Sequence, residues 1–415
     1  MSTPWQIALC PSKISAPKFL YDQIEILRGK DLEIKDIDVS FADEPAYANV
    51  LAPIAGIVDY YESMGYCFHF SVQPLSYIDH TRIYNPFIAE SETEQASFDS
   101  PLDKVWRFHS SKGITALVDA VLLYVRKADV VQPGMLNSIE WCLNEVMDNI
   151  LQHSVLGYGF FMGQLHRSNK RFAFCIFDAG IGLHNSLKPS EHSPRTPLDA
   201  ITLALQERVT RDEKIGQGNG LWGLTRIVQE SQGLLRVVSG GAKYEYSEGN
   251  ENTIRSGEFC LSPARGTVMV DVQLDYSREI NIDKALNGYE PIDLWLEGHE
   301  TGQGEFRIEI AAESAGTGTR KAAEQIRNMA LNIVTQEKKK CIFDFSGVNV
   351  ISSSYADELL GKLIVQIGIA NFMGSFSFIN MNQFCTAIIN RSVQQRMAQK
   401  YYDASIDETE TELIP

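Results

Sequence analysis

The stretch Glu145-Val146-Met147-Asp148-Asn149 is followed by two glycine boxes in fixed order, Asp178-Ala179-Gly180-Ile181-Gly182 and Gly216-Gln217-Gly218-Asn219-Gly220-Leu221-Trp222-Gly223, and then by Gly266-Thr267 at the head of an apolar run. Pro133-Gly134 punctuates the chain ahead of the first phrase, and helical spacing begins after it. Leu136, Ile139, Leu143, Val146 and Ile150 recur at steps of three and four, which is one buried stripe. Glu145 and Asn149 are four apart and so share an adjoining face. The Asn149 amide oxygen is a hard, neutral ligand of the kind Mg2+ takes beside water and phosphate oxygens. The Glu145 carboxylate can take a proton from an attacking water or hydroxyl, and His153 stands one turn further on. Taken alone, the same helix reads equally as an amphipathic one with a polar outer face.

The two glycine boxes weigh against that plainer reading. Arg171 to Phe177 is apolar on both faces and reads as a central strand. It ends at Asp178, whose carboxylate can accept a hydrogen bond from an exocyclic amine such as adenine offers, and glycines at 180 and 182 let backbone approach a flat base. On its own this box is also an ordinary turn after a strand. Thr196-Pro197 is a helix start, with a helix through Leu198–Glu207. Arg208, Arg211 and Lys214 follow in a polar, lid-like segment that runs into Gly216. A helix over Leu221–Glu230 then points its N-terminus at the glycines, an arrangement suited to an anion such as triphosphate.

In this order, the phrases resemble the GHKL ATPase superfamily of gyrase-type topoisomerases, large heat-shock chaperones, histidine kinases and mismatch-repair ATPases, with anti-sigma-factor serine kinases sharing the fold. The resemblance covers roughly residues 100–275. It implies an α+β sandwich of the Bergerat type with ATP and Mg2+ as cofactors. By the same resemblance Glu145 is the general base and Asn149 the Mg2+ ligand. Asp178 contacts the adenine amine with Gly180 and Gly182 beside it, and Gly216, Gly218 and Gly220 form the phosphate-facing lid box. Thr267 is the polar residue near the adenine. The phrase Glu145–Asn149 is closest to the gyrase-type box, whereas His153 and Gly218-Asn219-Gly220-Leu221-Trp222 look more like the anti-sigma kinases. No phosphoacceptor helix of the histidine-kinase kind is evident, and His109 reads as a surface or interface histidine.

The flanks add a second theme. Past an irregular acidic stretch, Phe306–Ala312 reads as a strand, Gly316–Arg320 as a loop leading into a helix to about Val334, Cys341–Phe345 as a strand, and Ser375–Ile379 as another. Ser352-Ser353-Ser354 starts a helix between the last two strands. Thr319-Arg320, Asp344–Val348 and Tyr355-Ala356-Asp357-Glu358-Leu359 resemble a STAS-like module of the anti-sigma-antagonist type. That resemblance implies a phosphoacceptor at about Ser353 or Ser354. The usual Asp-Ser-Ser-Gly phrase is absent, however, and the serines serve equally as helix caps. Near the N-terminus, Ile34–Ser40 and Cys67–Val72 read as strands around a helix opening at Tyr47. Asp38-Val39-Ser40 parallels Asp344-Phe345-Ser346, and Tyr47-Ala48-Asn49 parallels Tyr355-Ala356-Asp357. This is either a degenerate STAS-like layer or an unrelated α/β lobe. Ala89–Pro101 is polar and acidic and reads as a linker.

The expected organisation is therefore α/β throughout, with five parts. These are an N-terminal α/β module (1–95), the ATP-binding domain (96–275), an acidic linker (276–304), a STAS-like domain (305–400) and an acidic tail (401–415). The chain has 415 residues, 44% of them apolar, which is enough for cores of ordinary globular density. No apolar run suits a bilayer span and no signal pattern opens the chain. The seven cysteines are scattered without pairing or zinc spacing, and they point to a reducing cytoplasm. A net charge of −16 disfavours nucleic-acid binding. Lys338-Lys339-Lys340, the one basic run, reads as a solvated helix end. The expected partners are proteins engaged through the STAS-like modules, or a second copy in a homodimer. The leading function is an ATP-hydrolysing or phosphotransferring switch. The alternatives are an ATP-gated clamp like the gyrase-type and chaperone ATPases, or a nucleotide-binding scaffold without turnover.

Overall fold

In a computed structural model that describes residues 4–29, 35–42, 45–190, 192–206, 220–247, 249–254, 256–286, 299–302 and 304–411, the chain forms two compact units. The first comprises residues 1–122 and 137–290, the second 123–136 and 291–415. The boundaries read from composition at residues 95 and 275 do not coincide with these units, because side chains before residue 95 share a core with those after it. Part of the 276–304 segment, residues 287–298, lies outside the described residues.

The first unit is organised around the strand read as central. This strand, β7 (Arg171–Asp178), lies inside an eight-stranded mixed sheet of order β10-β9-β8-β11-β7-β6-β5-β4. The others are β4 (Phe87–Ile88), β5 (Trp106–Phe108), β6 (Gly159–His166), β8 (Leu234–Ser239), β9 (Ala242–Ser247), β10 (Asn250–Ile254) and β11 (Val268–Asp275). Period-two alternation puts Phe172, Phe174, Ile176 and Asp178 on one face of β7 and Ala173, Cys175 and Phe177 on the other, and all are buried. Both faces are covered, so β7 is apolar without alternation.

One cover is an N-terminal lobe. It holds β1 (Trp5–Leu9), α1 (Ala16–Gly29), β2 (Asp36–Phe41), α2 (Ala48–Glu62) and β3 (Cys67–Ser71), with the strands parallel in the order β1-β2-β3. Helix α2 is buried almost all round, from Ala48 through Val58 with Tyr61. Its side chains join one core with Phe160, Met162, Cys175, Phe177 and Met269 of the large sheet. A Cβ on Gly56 would fall 2.1 Å from the Phe177 ring, so glycine is what lets the helix lie this close. Gln164 of β6 accepts the Ala48 N–H at the head of α2 (2.9 Å), and Asn49 donates to Asp271 of β11 (2.8 Å). Asp271 also pairs with Arg236 (2.8 Å), which reaches Glu245 (2.7 Å).

The segment 89–101, expected as a linker, is packed instead. Phe98 packs at a tilt against Trp106 with ring centroids 4.8 Å apart, and Trp106 is fully buried. Glu90 takes the N–H groups of His109 (2.9 Å) and Ser110 (2.8 Å) at the head of α4 (Ser111–Ala128). A polar composition conceals this, because the cap comes from about twenty residues away and leaves no local pattern. His109 is half-exposed and pairs with Glu90.

Helix α3 (Tyr77–Thr81) follows the N-terminal lobe, and α5 (Met135–His153) carries the predicted stripe, with Leu136, Ile139, Leu143, Val146 and Ile150 buried. Then come α6 (Gly182–Leu187), α7 (Pro197–Ala204), α8 (Gly220–Glu230) and α9 (Ile282–Ala285). Thr196 caps α7 in a reciprocal box with Asp199, which fixes its start one residue before the sequence reading.

The second unit holds a three-stranded parallel sheet of β12 (Phe306–Glu309), β13 (Cys341–Asp344) and β14 (Phe376–Ile379), in that order. Around it lie α10 (Ile310–Glu313), α11 (Arg320–Glu337), α12 (Ser353–Ala356), a π-helical turn (Asp357–Gly361), α13 (Lys362–Ile367), α14 (Ile369–Ser375) and α15 (Gln383–Thr411). The first strand is shorter than the sequence suggested because the chain turns into α10 at Ile310. The segment 123–136 belongs to this unit. Buried Asn332 of α11 accepts the Val131 N–H (2.9 Å) and donates to the carbonyls of Arg126 (2.9 Å) and Asp129 (2.8 Å). Lys127 pairs with Glu313 (2.7 Å).

Candidate functional site

In the first unit, the residues singled out in the sequence fall into two groups, one where α5 meets α8 and one at the ends of β7 and β11. The first is Glu145, Asn149 and Gly220. Glu145 and Asn149 stand one turn apart on α5, separated by a rise of about 6 Å. Gly220, the first residue of α8, sits against both: a Cβ there would lie 2.6 Å from Asn149 Nδ2 and 2.9 Å from Glu145 Oε2. The N-terminus of α8 is thus brought up to the carboxylate and amide, and a side chain at 220 would have to push both of them aside. Burial and the neighbouring Asp148 charge push the Glu145 pKa up, and burial raises Asp148 as well. Gly216 and Gly218, with Arg208, Arg211 and Lys214, lie outside the described residues.

The second group is Asp178, Gly180, Gly182 and Thr267, at the end of β7 and the start of β11. Val268 pairs with Asp178 in the antiparallel ladder. The Asp178 carboxylate is almost fully buried and accepts the Gly180 N–H at 2.6 Å. Burial pushes its pKa up to about 6, against the pull of that bond, a hydroxyl bond from Ser154 and the charge of Arg265. Gly182 has φ +76°, and a Cβ on it would fall 2.7 Å from the Gly266 carbonyl carbon. The two loops are sewn together by Gly266 N–H to Ile181 O (3.2 Å) and Thr267 N–H to Gly180 O (3.2 Å).

Thr267 itself is unusual on two counts. It is a β-branched residue at φ +50°, a backbone conformation that costs free energy and collects at functional sites. Its side chain is fully buried, and its hydroxyl has no hydrogen-bond partner among the described residues. A buried hydroxyl without a partner costs about 1–3 kcal/mol. Arg265, two residues earlier, likewise has a buried Nη1 without a partner. Sequence reading missed Ser154 and Arg265. Ser154 follows a helix end and Arg265 precedes the Gly-Thr step, and neither position signals chemistry until the strand ends meet.

Among the described residues no cluster of three or more His, Cys, Asp and Glu side chains forms a protein-only metal cage. A single amide beside a carboxylate suits a cation that keeps water and phosphate oxygens as its other ligands.

In the second unit, Ser352 caps α12. Its hydroxyl takes the Tyr355 N–H (3.0 Å), donates to the Gly318 carbonyl (3.0 Å) and lies 2.9 Å from Ser354 Oγ. Ser354 is half-buried beside it, whereas Ser353 is exposed. The following turn is tightly charged. Buried Glu358 pairs with Arg327, Lys362 (2.6 Å) and Arg320 (3.4 Å), and Asp357 binds Arg396 in a two-pronged contact (2.8 and 2.6 Å). Asp344, at the end of β13, accepts Ser346 N–H (2.9 Å), Asn380 Nδ2 (2.8 Å) and Arg307 Nε (2.8 Å). Burial alone would raise its pKa, but these bonds hold it well below the usual aspartate range.

Residues 322–383 match a protein family described as a STAS-like domain of unknown function (DUF4325). This span includes most of α11, all of β13 and β14, and the serines and acids that start the intervening helix. No curated protein matches the chain. No helix among the described residues is long and apolar enough to cross a membrane, and all seven cysteines are free thiols.

Proposed function

We propose that the first unit is an Mg-ATP site of the GHKL type. On this reading the protein is a cytoplasmic switch that hydrolyses ATP or passes its terminal phosphate to a serine, and the STAS-like module is the face offered to a protein partner, a second copy included. The observation that carries this reading is the seat of Gly220, where a Cβ would strike both Asn149 and Glu145. Asn149 and Gly220, 71 residues apart in sequence, thereby bring a carboxylate, an amide and a helix N-terminus together.

The residues present fit the nucleotide. Asn149 would hold the metal ion, and the N-terminus of α8 would present N–H groups to phosphate oxygens. Asp178 would accept from the exocyclic amine of the base, and the partnerless Thr267 hydroxyl would gain a polar neighbour. Bound Mg-ATP supplies the electrophilic phosphoryl group. Glu145, with a pKa raised toward the working pH, is suited to take the proton of the attacking hydroxyl.

The test uses the full chain and Mg-ATP labelled on the terminal phosphate. Asn149→Ala should abolish Mg-ATP binding, and tight binding by that variant contradicts the metal assignment. Glu145→Ala should keep binding and lower turnover by about 10²–10⁴-fold. Label released as phosphate marks an ATPase. Label retained on protein and lost from a Ser353→Ala/Ser354→Ala variant marks a serine kinase acting on its own module. Binding with neither signal marks a scaffold.

A further inference from the structure

We infer that Ser154 is a positioning residue of this site, whose hydroxyl holds the Asp178 carboxylate as the acceptor for the amine of a 6-aminopurine. The inference rests on the nucleotide reading above. Ser154 is the first residue after α5, and its N–H closes the helix on Ile150 O (2.9 Å). Its hydroxyl oxygen accepts the Leu156 N–H at 3.3 Å, which leaves the hydroxyl proton for Asp178.

The two oxygens converge on one α-carbon. A Cβ on Gly180 would lie 2.3 Å from Asp178 Oδ1 and 2.5 Å from Ser154 Oγ. Oδ1 already takes the Gly180 N–H at 2.6 Å. The groups acting on Asp178 are therefore the Gly180 amide, the Ser154 hydroxyl and the Arg265 charge, which favour the carboxylate, and burial, which opposes it. The balance is shallow, since it settles at about 6. Losing one donor tilts it toward the neutral acid. A carboxylate accepts from a 6-amino group, whereas a protonated carboxyl donates to a 6-oxo group. Ser154 thus acts on base choice through Asp178 without touching the base.

The test compares the wild-type chain with Ser154→Ala for binding of ATP and ITP between pH 5.5 and 8.5. Wild-type ATP affinity should weaken as pH falls past about 6, where Asp178 takes its proton. In the variant the midpoint should move upward by about one unit. That is roughly a threefold loss for ATP near pH 6.5, which grows to about eightfold at pH 5.5 and shrinks to under about twofold at pH 8.5. ITP binding should hold or improve, which also reports that the variant is folded. An equal loss for both nucleotides at every pH overturns the inference, because Ser154 then only ends the helix. If the wild-type chain binds neither nucleotide at any pH, both the inference and the nucleotide reading fall.

Discussion

The N-terminal and C-terminal lobes share a frame of three parallel strands in sequential order, yet they use the helix after the middle strand in opposite ways. In the N-terminal lobe that helix is α2, apolar nearly all round, which packs on the large sheet through Gly56 and is anchored by Asn49 to Asp271. In the C-terminal lobe the helix starting at Ser353 runs into a turn whose acids are ringed by Arg320, Arg327, Lys362 and Arg396. One helix is held by shape, the other by charge. Exposed Ser353 begins the second, whereas the only hydroxyl in Tyr47-Ala48-Asn49 at the start of the first is that of Tyr47, which makes no side-chain cap bond.

Perturbing each helix should expose that difference. Glu358→Ala should have the largest effect, about 3 kcal/mol off the second unit in a denaturant titration, because it removes the carboxylate partner of part-buried Arg327. A loss that high salt fully mimics in the wild type would show the pairs to be mere surface contacts. Gly56→Val should cost the first unit about 1–3 kcal/mol, because the Phe177 ring has nowhere to go. Gly361→Ala, in the charged helix, should cost less, since a Cβ there meets Asp357 Oδ1 only at 2.9 Å.

The lobes also differ in their response to acid. In the first unit Asp178, Asp271, Glu145 and Asp148 all have raised pKa values, driven mainly by burial. The folded state binds their protons more tightly than the unfolded one. Their contribution to stability therefore rises as pH falls from about 7 through 6 toward the unfolded values near 4. In the second unit the bonds from Arg396 hold Asp357 low, and those from Lys362 and Arg327 outweigh burial to hold Glu358 low. That stability is full above the unfolded values and is lost as pH falls below about 4. Hydrogen exchange read by mass spectrometry at pH 7, 5 and 3.5 separates the two responses. Parallel loss in both units would contradict the assignment. Smallest of all, Ser352→Ala should cost about 1 kcal/mol as a lost cap, and Ser353→Ala within about 0.5 kcal/mol of nothing. Equal costs would mean that Ser353 carries structure as well.

The parallel drawn between the lobes from sequence holds for the frame and fails for the residues. Asp38 lies mid-strand and takes an amide from Gln6, whereas buried Asp344 ends its strand. Tyr47 stands at the N-cap position of α2 without a side-chain cap bond, and Tyr355 is buried within its helix. Short motifs two residues out of step could not reveal this, because a strand's length before its turn is set by packing. The α5 stripe was legible because helical period and burial coincide there. The meeting of Gly220 with Asn149, and of Ser154 with Asp178, was not, because it depends on where strand and helix ends fall in space. The packed 89–101 segment misled for a similar reason, its partners being Trp106 and the head of α4.

The division of the chain also bears on how such a protein can arise. The polypeptide passes from the first unit into the second at residue 123, returns at 137 and leaves again at 290. No single break in the gene separates the two units with both intact. A crossover at 290 would abandon Asn332 without the carbonyls of Arg126 and Asp129. A shortened chain that kept only one of the two parts would therefore need the 123–136 segment rebuilt.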